Sequence, residues 1–306
     1  MITILMMGGL GNQMFQYAAA KALAERHGVG LALDKGGFHD DKYRSFLLDN
    51  LNIPEATTAS CHLNPSQTGS VSLFFWARWR QRADRILSIA GLPQLPAPAN
   101  SYREPHFQFD RQFETLGAET SLFGYFQSEL YFSSIAEALP RVFEPREPLG
   151  ESARIAADRI GASALPVSIH IRRGDYTQAS TASVHSLLDK NYYRKALEWM
   201  EARLGSKLFE LFVFSDDLEQ ASQVLGFVPP ERVNYVQGDP KRPWEDMALM
   251  ARCRHQIIAN SSFSWWGAWL NRSPQKIVIA PRYWFTPTAM RERNTCDLYP
   301  SDWVLL

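Results

Sequence analysis

The sequence predicts an α/β protein of two Rossmann-like domains with parallel β-sheets. Short β-rich runs alternate with helical patterns through the second half of the chain, as in a parallel sheet covered by helices on both faces. The chain opens with an apolar run, a glycine-rich turn, a helical pattern and a second apolar run ending at Asp34. Its 306 residues are more than one core usually holds, so two domains are expected.

The domains are predicted at residues 1–160 and 161–306, with the last residues able to pack back on the first domain. Residues 142–166 place turn residues around a helix, which is typical of a domain junction. After it, the predicted strands are LPVSIHI, LFELFVFS, RVNYVQ, HQIIAN and KIVIAP. The helices between them are NYYRKALEWMEARLG, DLEQASQVLG, PWEDMALMARC and SSFSWWGAWLN.

The N-terminal segment MITILMMGGLGNQMFQYAAAKALAERHGVGLALD has the outline of a dinucleotide-binding unit, with an acid where a ribose hydroxyl would be held. The third glycine of that fingerprint is missing, because Met14 follows Gly9 and Gly11. The turn also carries Asn12 and Gln13, for which the fingerprint has no need. We therefore expect a β–α turn here but no nicotinamide cofactor.

The composition is that of an ordinary globular enzyme, 45% hydrophobic and 21% charged. The formal net charge is zero, which argues against a nucleic-acid partner. The three cysteines form no C-x-x-C pair, which favours reduced thiols in the cytoplasm. The first residues lack a basic region and no run of about 18 uncharged apolar residues occurs, so we expect neither a signal peptide nor a membrane-spanning helix.

Residues 71–92, VSLFFWARWRQRADRILSIAGL, combine aromatic side chains with arginines. Such a helix can lie flat on an anionic membrane surface. A helix whose aromatic face packs on its own domain is the better explanation. Peripheral contact of this segment with the inner face of a membrane stays an open alternative.

Polar residues follow four strands of the second domain, at the edge where ligands of open α/β sheets bind. They are His170, Arg172, Arg173, Asp175, then Ser215, Asp216, Asp217, then Asp239, Lys241, Arg242, Asp246, and finally Asn260, Ser261, Ser262, Ser264. Paired arginines suit a pyrophosphate, because guanidinium groups bind phosphate oxygens bidentately. The alternative is that one arginine forms a structural ion pair with Asp175.

The NSSFSWW segment offers a second phosphate-binding element. Asn260 or Ser261 would cap a helix whose first N–H groups and dipole favour an anion, although ordinary helix capping explains the same serines. Trp265, Trp266 and Trp269 are expected in the core. The chain has no P-loop, no D-x-D pair and no His, Cys or acid cluster at metal-binding spacing. Together these features favour a metal-independent transferase of a nucleotide-activated group.

Four segments, in this order, resemble the bacterial α-1,2-fucosyltransferases of glycosyltransferase family 11: GGLGNQMFQYA, GYFQSELYF, HIRRGDY and NSSFSWWGAWL. The resemblance spans nearly the whole chain. It implies a GT-B fold, in which two Rossmann-like domains face each other across a cleft. It also implies that L-fucose passes from GDP-β-L-fucose to the 2-hydroxyl of a terminal galactoside, with inversion and without an obligatory metal. The acceptor would be an oligosaccharide or a lipid-linked glycan, as in O-antigen synthesis.

The resemblance also implies roles for individual residues. The C-terminal domain would hold the donor and the N-terminal domain the acceptor. The donor-binding residues would be His170, Arg172, Arg173, Ser215, Asp216, Asp246, Asn260, Ser261, Ser262 and Ser264, with the phosphates at the arginines and serines and the guanine or ribose at Asp216 and Asp246. The residues facing sugar would be Asn12, Gln13, Tyr125 and Gln127.

Inverting transfer needs a base for the acceptor hydroxyl, and arginine would stabilise the departing GDP. Asp175, His185 and Glu129 are the candidates for the base. Distant fucosyltransferases carry an acid a few residues after the Arg-Arg-x-Asp stretch, where this chain has YTQASTASVHS. Asp175 is our first choice. The remaining alternatives are a transferase of another GDP-sugar, transfer to another acceptor hydroxyl, and a glycan-binding protein without catalysis.

Overall fold

The protein consists of two compact α/β units, Met1–Phe143 and Glu144–Leu306. A computed structural model describes residues 1–38, 44–54, 100–173, 187–205 and 208–306. Each unit contains a parallel β-sheet, of four strands in the first and six strands in the second. The predicted α/β class with parallel sheets is confirmed. The cleft between the domains stays a prediction.

The first unit is built from short strands around one long helix. Its strands are β1 Ile2–Leu5, β2 Leu31–Asp34, β3 Ser101–Arg103 and β4 Ser121–Phe123, and its helices are α1 Leu10–His27 and α2 Leu139–Val142. Single 3₁₀ turns lie at Lys35–Phe38, Leu48–Asn50, Arg111–Thr115, Glu129–Tyr131 and Ser133–Ile135. The strand order is β2-β1-β4-β3. The predicted strand–turn–helix–strand start is confirmed.

The second unit is a regular alternation of strands and helices. Its strands are β5 Pro166–Ile171, β6 Glu210–Ser215, β7 Val233–Tyr235, β8 His255–Ile257, β9 Val278–Ala280 and β10 Val304–Leu305. Its helices are α3 Glu151–Ala162, α4 Lys190–Leu204, α5 Leu218–Val224, α6 Pro243–Arg252, α7 Ser262–Trp269 and α8 Pro287–Met290, with a 3₁₀ turn at Pro230–Arg232. Every strand and helix predicted after residue 164 is confirmed, and the sheet order is β10-β9-β8-β5-β6-β7.

Both faces of the second sheet are buried, which explains the continuous apolar run LFVF in the central strand β6. All six residues of β5 are buried. On one face, Val167 and Ile169 belong to a cluster with Tyr193 and Met200 of α4. On the other face, Phe212 and Phe214 of β6 pack in a cluster with α3 and α6.

Helix α3 belongs to the second unit, so the division predicted after residue 160 falls inside this helix. The physical reason is that its apolar residues Ala153 and Ile160 are buried in the cluster around Phe212. The backbone N–H of Gly150, just before α3, also donates to Glu245 Oε1 of α6 at 2.7 Å. At the other end of the chain, β10 pairs in parallel with β9 and so extends the second sheet.

Three predicted features lie outside the described residues: Asp175, His185 and the segment 71–92. Within the part of the chain that the structure describes, no helix combines the length and the apolar character that a membrane span requires.

Candidate functional site

The carboxyl ends of β5 and β8 mark the point where the chain order of the second sheet reverses. From the central strand β5 the chain runs outward to β6 and β7, then returns to the other side of β5 with β8 and continues to β9 and β10. Ligands of open α/β sheets bind in the crevice at such a reversal. At this crevice, Arg172 and Arg173 follow the end of β5, and Asn260 and Ser261 follow β8.

Asp216 ties both arginines to the end of the neighbouring strand β6. Ile171 and Ser215 are paired in register, so Arg172 and Asp216 leave their strands side by side. Arg172 Nε lies 3.1 Å from Asp216 Oδ2, and the backbone N–H of Arg173 donates to Asp216 Oδ1 at 2.8 Å. Asp216 thus orients the Arg172 guanidinium at the crevice, and the alternative ion pair with Asp175 lies outside the described residues.

Arg173 is a buried cation, with only 8% of its surface exposed. Its Nε is buried and meets no acceptor among the described residues. Hydrogen bonds from Gln220 to its carboxylate lower the pKa of Asp217, and the positive charge of Arg173 lowers it further. A buried guanidinium with an unsatisfied donor is costly unless an anion completes it. This side chain is therefore the most direct indication of an anionic ligand in the second unit.

Ser215 and Asp217 shape the end of β6. The Ser215 hydroxyl lies 2.7 Å from the Ile171 carbonyl and accepts the Asp217 N–H at 3.0 Å. Asp217 caps α5, because its Oδ1 accepts the Gln220 N–H at 2.9 Å. Ser215, predicted to contact the donor, instead joins the ends of two strands with its side chain. We assign both residues to building the crevice rather than to binding a ligand.

His170 is a neutral, buried residue behind the arginines. It is 4% exposed, its ring lies 5.8 Å from that of Phe263, and its Nδ1 meets no partner among the described residues. Burial, followed by the charge of Arg172, lowers the pKa of His170 to about 3. The imidazole is therefore uncharged at neutral pH and adds no positive charge to a phosphate site.

Helix α7 begins beside the arginines without a side-chain cap. Ser261 is its N-cap residue, extended at φ −138° and ψ 125°, and makes no capping hydrogen bond with its side chain. Its first turn therefore presents N–H groups and the positive end of the helix dipole to the crevice. Asn260 donates to the Trp284 carbonyl at 3.0 Å. The Ser264 hydroxyl is fully buried and bonds the Ala259 or Ser261 carbonyl, so it faces away from any ligand.

Trp265 and Trp266 of α7 are core residues, as predicted, whereas Trp269 is only partly buried. Trp265 and Trp266 are completely buried, and the Trp265 indole donates to the Leu298 carbonyl at 2.8 Å. Its ring lies 5.1 Å from that of Trp266, 6.2 Å from Trp269 and 5.5 Å from Trp303. This aromatic cluster fixes α7 directly behind its first turn.

Asp246 lies apart from the arginines, in the first turn of α6. The loop after β7 packs closely on it: a Cβ atom on Gly238 would come within 2.8 Å of Asp246 Oδ1, so only glycine fits there. Burial, then the neighbouring charges of Glu245 and Asp239, raises the pKa of Asp246 to about 7. This carboxyl group is therefore poised to accept hydrogen bonds from a ligand that stabilises its charged form.

The first unit has a crevice of the same topological kind between β1 and β4. Its sheet order puts β2 on one side of β1 and the later strands on the other. Asn12 of α1 and Gln127 after β4 meet there, with Gln127 Nε2 donating to Asn12 Oδ1 at 2.8 Å. Gln127 Oε1 is buried without a donor among the described residues. Gly8 is in the left-handed region at φ +79°, and a Cβ on it would lie 2.7 Å from Asn12 Nδ2.

Gln13 has a different role from the predicted contact with substrate. It is completely buried. Its Nε2 donates to the carbonyls of Gly8 and Ser45, each at 2.9 Å, and its Oε1 accepts the Leu47 N–H at 2.9 Å. The amide therefore holds the segment around residue 45 against the turn before α1.

Tyr125 and Glu129 lie two residues before and two residues after Gln127 in the chain. Tyr125 is 40% exposed. The Glu104 carboxylate accepts the N–H groups of Tyr125 at 2.7 Å and Phe126 at 3.1 Å. Phe126 has a left-handed φ of +54°, an uncommon conformation for a bulky residue that is often found at functional sites. Glu129 follows in the 3₁₀ turn Glu129–Tyr131 and is partly exposed.

Sequence reasoning missed two residues of the first crevice. Arg44 lies over the turn before α1, since a Cβ on Gly9 would come within 3.3 Å of its Nη1. Gln16 is completely buried and joins the ends of β1 and β4: it accepts the Met7 N–H and donates to the Gly124 carbonyl, each at 3.1 Å. An arginine shortly after a turn-rich segment carries no positional signal, and a buried glutamine looks like any surface amide in the sequence.

No group of three or more His, Cys, Asp or Glu side chains among residues 1–38, 44–54, 100–173, 187–205 and 208–306 is arranged to hold a metal ion.

Comparison with known families decides which class of protein carries these two crevices. The profile of glycosyl transferase family 11 matches residues 100–306. The chain belongs to this family. Family 11 membership thus covers the whole second unit, with its arginines and α7, together with strands β3 and β4 of the first. The predicted family is confirmed, and the protein is a glycosyltransferase.

Three relatives show what this family 11 protein resembles. It is 32% identical over 302 residues to an alpha-1,2-colitosyltransferase of Escherichia coli, covering 97% of this chain and 96% of that one. It is 34% identical over 314 residues to the O-antigen biosynthesis glycosyltransferase WbnK of Escherichia coli, covering 98% of each. It is 26% identical over 277 residues to galactoside alpha-(1,2)-fucosyltransferase 1 of Gorilla gorilla gorilla, covering 86% of this chain and 63% of that one.

Solved structures give a more distant likeness. A variant of Arabidopsis thaliana FUT1 in complex with GDP aligns with 94% of this chain and 72% of its own length, at 11% identity and a TM-score of 0.48. The fucosyltransferase NodZ from Bradyrhizobium aligns with 87% of this chain and 90% of its own length, at 16% identity and a TM-score of 0.38. With both TM-scores under 0.5, neither likeness adds to the residue assignments.

Proposed function

We propose that this family 11 glycosyltransferase moves L-fucose from GDP-β-L-fucose to the 2-hydroxyl of a terminal galactoside. The observation that carries the proposal is the crevice of the second unit, where Asp216 orients Arg172 beside the buried Arg173 and the uncapped start of α7. Two relatives support the α-1,2 linkage, one named as an alpha-1,2-colitosyltransferase and one as a galactoside alpha-(1,2)-fucosyltransferase. The relative named for O-antigen biosynthesis supports a role in bacterial surface glycan synthesis.

In this proposal the diphosphate of the donor lies between the arginines and the first turn of α7. Two guanidinium groups and a helix N-terminus can bind phosphate oxygens with fixed geometry. They are also held in place before the reaction, which is the condition for electrostatic stabilisation of a leaving group. No cation is then required to neutralise the departing GDP, and we propose that the reaction is metal-independent.

The nucleoside end of GDP would extend toward Asp246. Asp246 follows the edge strand β7, two strands away from β5, which corresponds to about 10 Å at the usual strand spacing. This is the scale of a nucleoside. A carboxylate at that distance can accept the two adjacent N–H groups of guanine, and this would restore the charged form of Asp246.

The chemical step forms a bond between the acceptor oxygen and C1 of fucose while the bond from C1 to the β-phosphate oxygen breaks. GDP departs with the electron pair of that bond, and the proton of the acceptor hydroxyl passes to a base. Among the three candidates for the base, Glu129 belongs to the described residues and follows Gln127 by two positions in the chain. Asp175 and His185 lie outside the described residues and stay candidates.

A second donor is favoured by one specific observation, the relative named as an alpha-1,2-colitosyltransferase. Colitose is L-fucose without its 3-hydroxyl group, so the two GDP-sugars share the diphosphate and guanine that the second unit would bind. Discrimination between them would then depend on groups that contact the sugar.

The test is a donor panel with product analysis. The purified protein is incubated with lactose and GDP-fucose, GDP-colitose or GDP-mannose, with EDTA or with magnesium, and the product linkage is determined by NMR. We expect an α-1,2-linked fucosyl product that forms equally well in EDTA. Transfer from GDP-colitose alone would replace the proposed donor, a product at another hydroxyl would replace the proposed linkage, and activity that requires magnesium would refute the metal-independent mechanism.

A further inference from the structure

A basic pocket lies at the amino ends of the strands of the second sheet, opposite the arginine crevice at their carboxyl ends. It has a volume of about 470 Å³, and its walls include Pro166 at the start of β5, the turn before β8 and the loop after α7. The residues of the crevice follow the carboxyl ends of the strands, whereas this pocket lies at their amino ends. The six residues of β5, at about 3.3 Å each, separate the two sites by about 20 Å.

Three arginines line the pocket: Arg252, Arg254 and Arg272. All three are exposed, and none forms a salt bridge with any residue in the described part of the chain. The remaining lining residues include no acid. The positive charge is felt next to the pocket, where burial and then Arg254 lower the pKa of His255 to about 4. An uncompensated group of three positive charges therefore stands in a protein with zero formal net charge.

The walls of the pocket are held together by hydrogen bonds. Asn271 is 5% exposed, and its Nδ2 donates to the carbonyls of Cys253 at 2.9 Å and Arg254 at 3.2 Å. Its Oδ1 accepts the Ser273 N–H at 2.7 Å. The Arg254 N–H in turn donates to the Pro166 carbonyl at 2.8 Å. The backbones that carry the arginines are thus fixed before any ligand arrives, which lowers the entropic cost of binding.

We propose that this pocket, lined by Arg252, Arg254 and Arg272, binds a phosphate-bearing anion at a site separate from the donor crevice. Its volume lies in the range of small-molecule sites, about 300–1,000 Å³. Guanidinium groups bind phosphate oxygens bidentately and keep their charge at every physiological pH. Three of them on converging walls suit a group with more than one negative charge, as in a soluble diphosphate or an anionic phospholipid headgroup.

The first arm of the test uses inorganic pyrophosphate as the soluble probe. Because pyrophosphate would also enter the donor crevice, its dissociation constant is measured by calorimetry at low salt in the Arg172→Ala background, alone and combined with Arg252→Gln/Arg254→Gln/Arg272→Gln. We expect the dissociation constant to rise by about tenfold or more in the combined variant, because three charge-assisted contacts are lost. The variant Arg172→Ala, which weakens only the donor crevice, is expected to keep this binding.

A matched control distinguishes the effect of the pocket on affinity from the effect of net charge. The variant Arg154→Gln/Arg203→Gln/Arg291→Gln removes three exposed arginines of the same unit that lie outside the pocket. In the Arg172→Ala background, its dissociation constant for pyrophosphate is expected to stay within about twofold of that of Arg172→Ala alone. An equal loss of affinity in the control and in the pocket variant would show a general charge effect and overturn the proposal.

The second arm tests a lipid source of the same phosphate chemistry. The wild type and both triple variants are sedimented with vesicles of phosphatidylglycerol or of phosphatidylcholine. Sedimentation with phosphatidylglycerol alone, lost in the pocket variant and kept in the control, would identify a lipid headgroup as the ligand. Binding of pyrophosphate without vesicle binding would identify a soluble one. If Arg172→Ala binds no pyrophosphate and the wild type binds no vesicles, the proposal is wrong, whatever the outcome of the donor panel.

Discussion

The two units have crevices of the same topological origin, but the first is lined mainly by amides, with Arg44 over its turn, and the second by two arginines. In the first unit the reversal between β1 and β4 brings together amides, Asn12 and Gln127, at a glycine turn. In the second unit the reversal between β5 and β8 brings together two guanidinium groups and a helix start. Topology thus fixes where a site lies, and the side chains decide what it holds. Amides suit neutral hydroxyl groups of a sugar, whereas guanidinium groups suit phosphate.

The largest expected effect comes from removing the charge of the second crevice. Arg172→Ala should lower kcat/KM for GDP-fucose by about 10²–10³-fold, or about 3–4 kcal/mol, because a preorganised contact to the leaving group is lost. Arg172→Lys should recover little of it, since an ammonium group cannot reproduce the guanidinium fork. Steady-state kinetics measure both, and circular dichroism shows whether the fold persists.

Arg154→Ala on the exposed face of α3 is the control for that experiment and should leave turnover unchanged. A near-normal kcat/KM in Arg172→Ala would contradict the contrast between the two crevices, since the second would then not hold the phosphates.

Two adjacent amides of the first crevice should behave in different ways. Gln13→Ala leaves the Leu47 N–H and two carbonyls without their partner, so the free energy of unfolding should fall by about 2–3 kcal/mol. Asn12→Ala should cost under about 1 kcal/mol of stability but raise KM for the acceptor. Urea unfolding and acceptor kinetics of the two variants test this directly. Equal effects on stability would mean that the first crevice is structural throughout.

The burial of His170 behind the arginines should make the free energy of unfolding depend on pH. The pKa of His170 is about 3 in the folded protein and about 6.5 in the unfolded chain. Below pH 6.5 the unfolded chain therefore binds the proton first, so His170 costs stability as the pH falls toward 3. From pH 7.5 to pH 5.5 the cost is about 1 kcal/mol.

His170→Gln removes this cost, so the variant should gain about 1 kcal/mol relative to the wild type between these two pH values. Asp246 acts in the opposite direction, because its pKa is raised on folding, but it is present in both proteins and cancels in the difference. Urea titrations at the two pH values supply the measurement. If the difference in free energy of unfolding between the variant and the wild type is the same at both pH values, this would show that His170 becomes hydrated.

The smallest expected effect concerns the nucleoside end of the second crevice. With its pKa at about 7, Asp246 is half-protonated near neutral pH and becomes a better acceptor for guanine as the pH rises. GDP affinity should therefore increase severalfold, by under about 1.4 kcal/mol, between pH 6 and pH 8. Asp246→Asn should remove this dependence. Calorimetric titration of GDP at the two pH values measures this change. A wild-type affinity for GDP that does not depend on pH would show that Asp246 does not contact the donor.

The second unit could be predicted from sequence in more detail than the first. The run 211–214, LFVF, is apolar because both faces of β6 are buried, and such a run is readable without a structure. Strands β3 and β4 read SYR and SLF, without the apolar run that marks strands such as β6 and β9. Strand β4 joins the sheet by pairing with β1, and β3 joins it by pairing with β4, which is a long-range effect.

The same distinction applies to the candidate sites. The residue types and the strand ends at which they occur could be found in the sequence. Their partners could not, because the pair of Arg172 with Asp216 depends on the register of Ile171 with Ser215. Burial was equally hidden: Gln13 and Asn12 are neighbours of similar chemistry, yet only Gln13 is fully enclosed.

The tryptophan cluster behind α7 gives the protein a built-in optical reporter. Trp265 lies one turn from the helix start and within 6.2 Å of the rings of Trp266, Trp269 and Trp303. Excitation can pass among rings at this separation, so a small movement of the first turn should change the emission of the whole group. Occupancy of the second crevice could then be followed by intrinsic fluorescence, without a label and without an acceptor sugar.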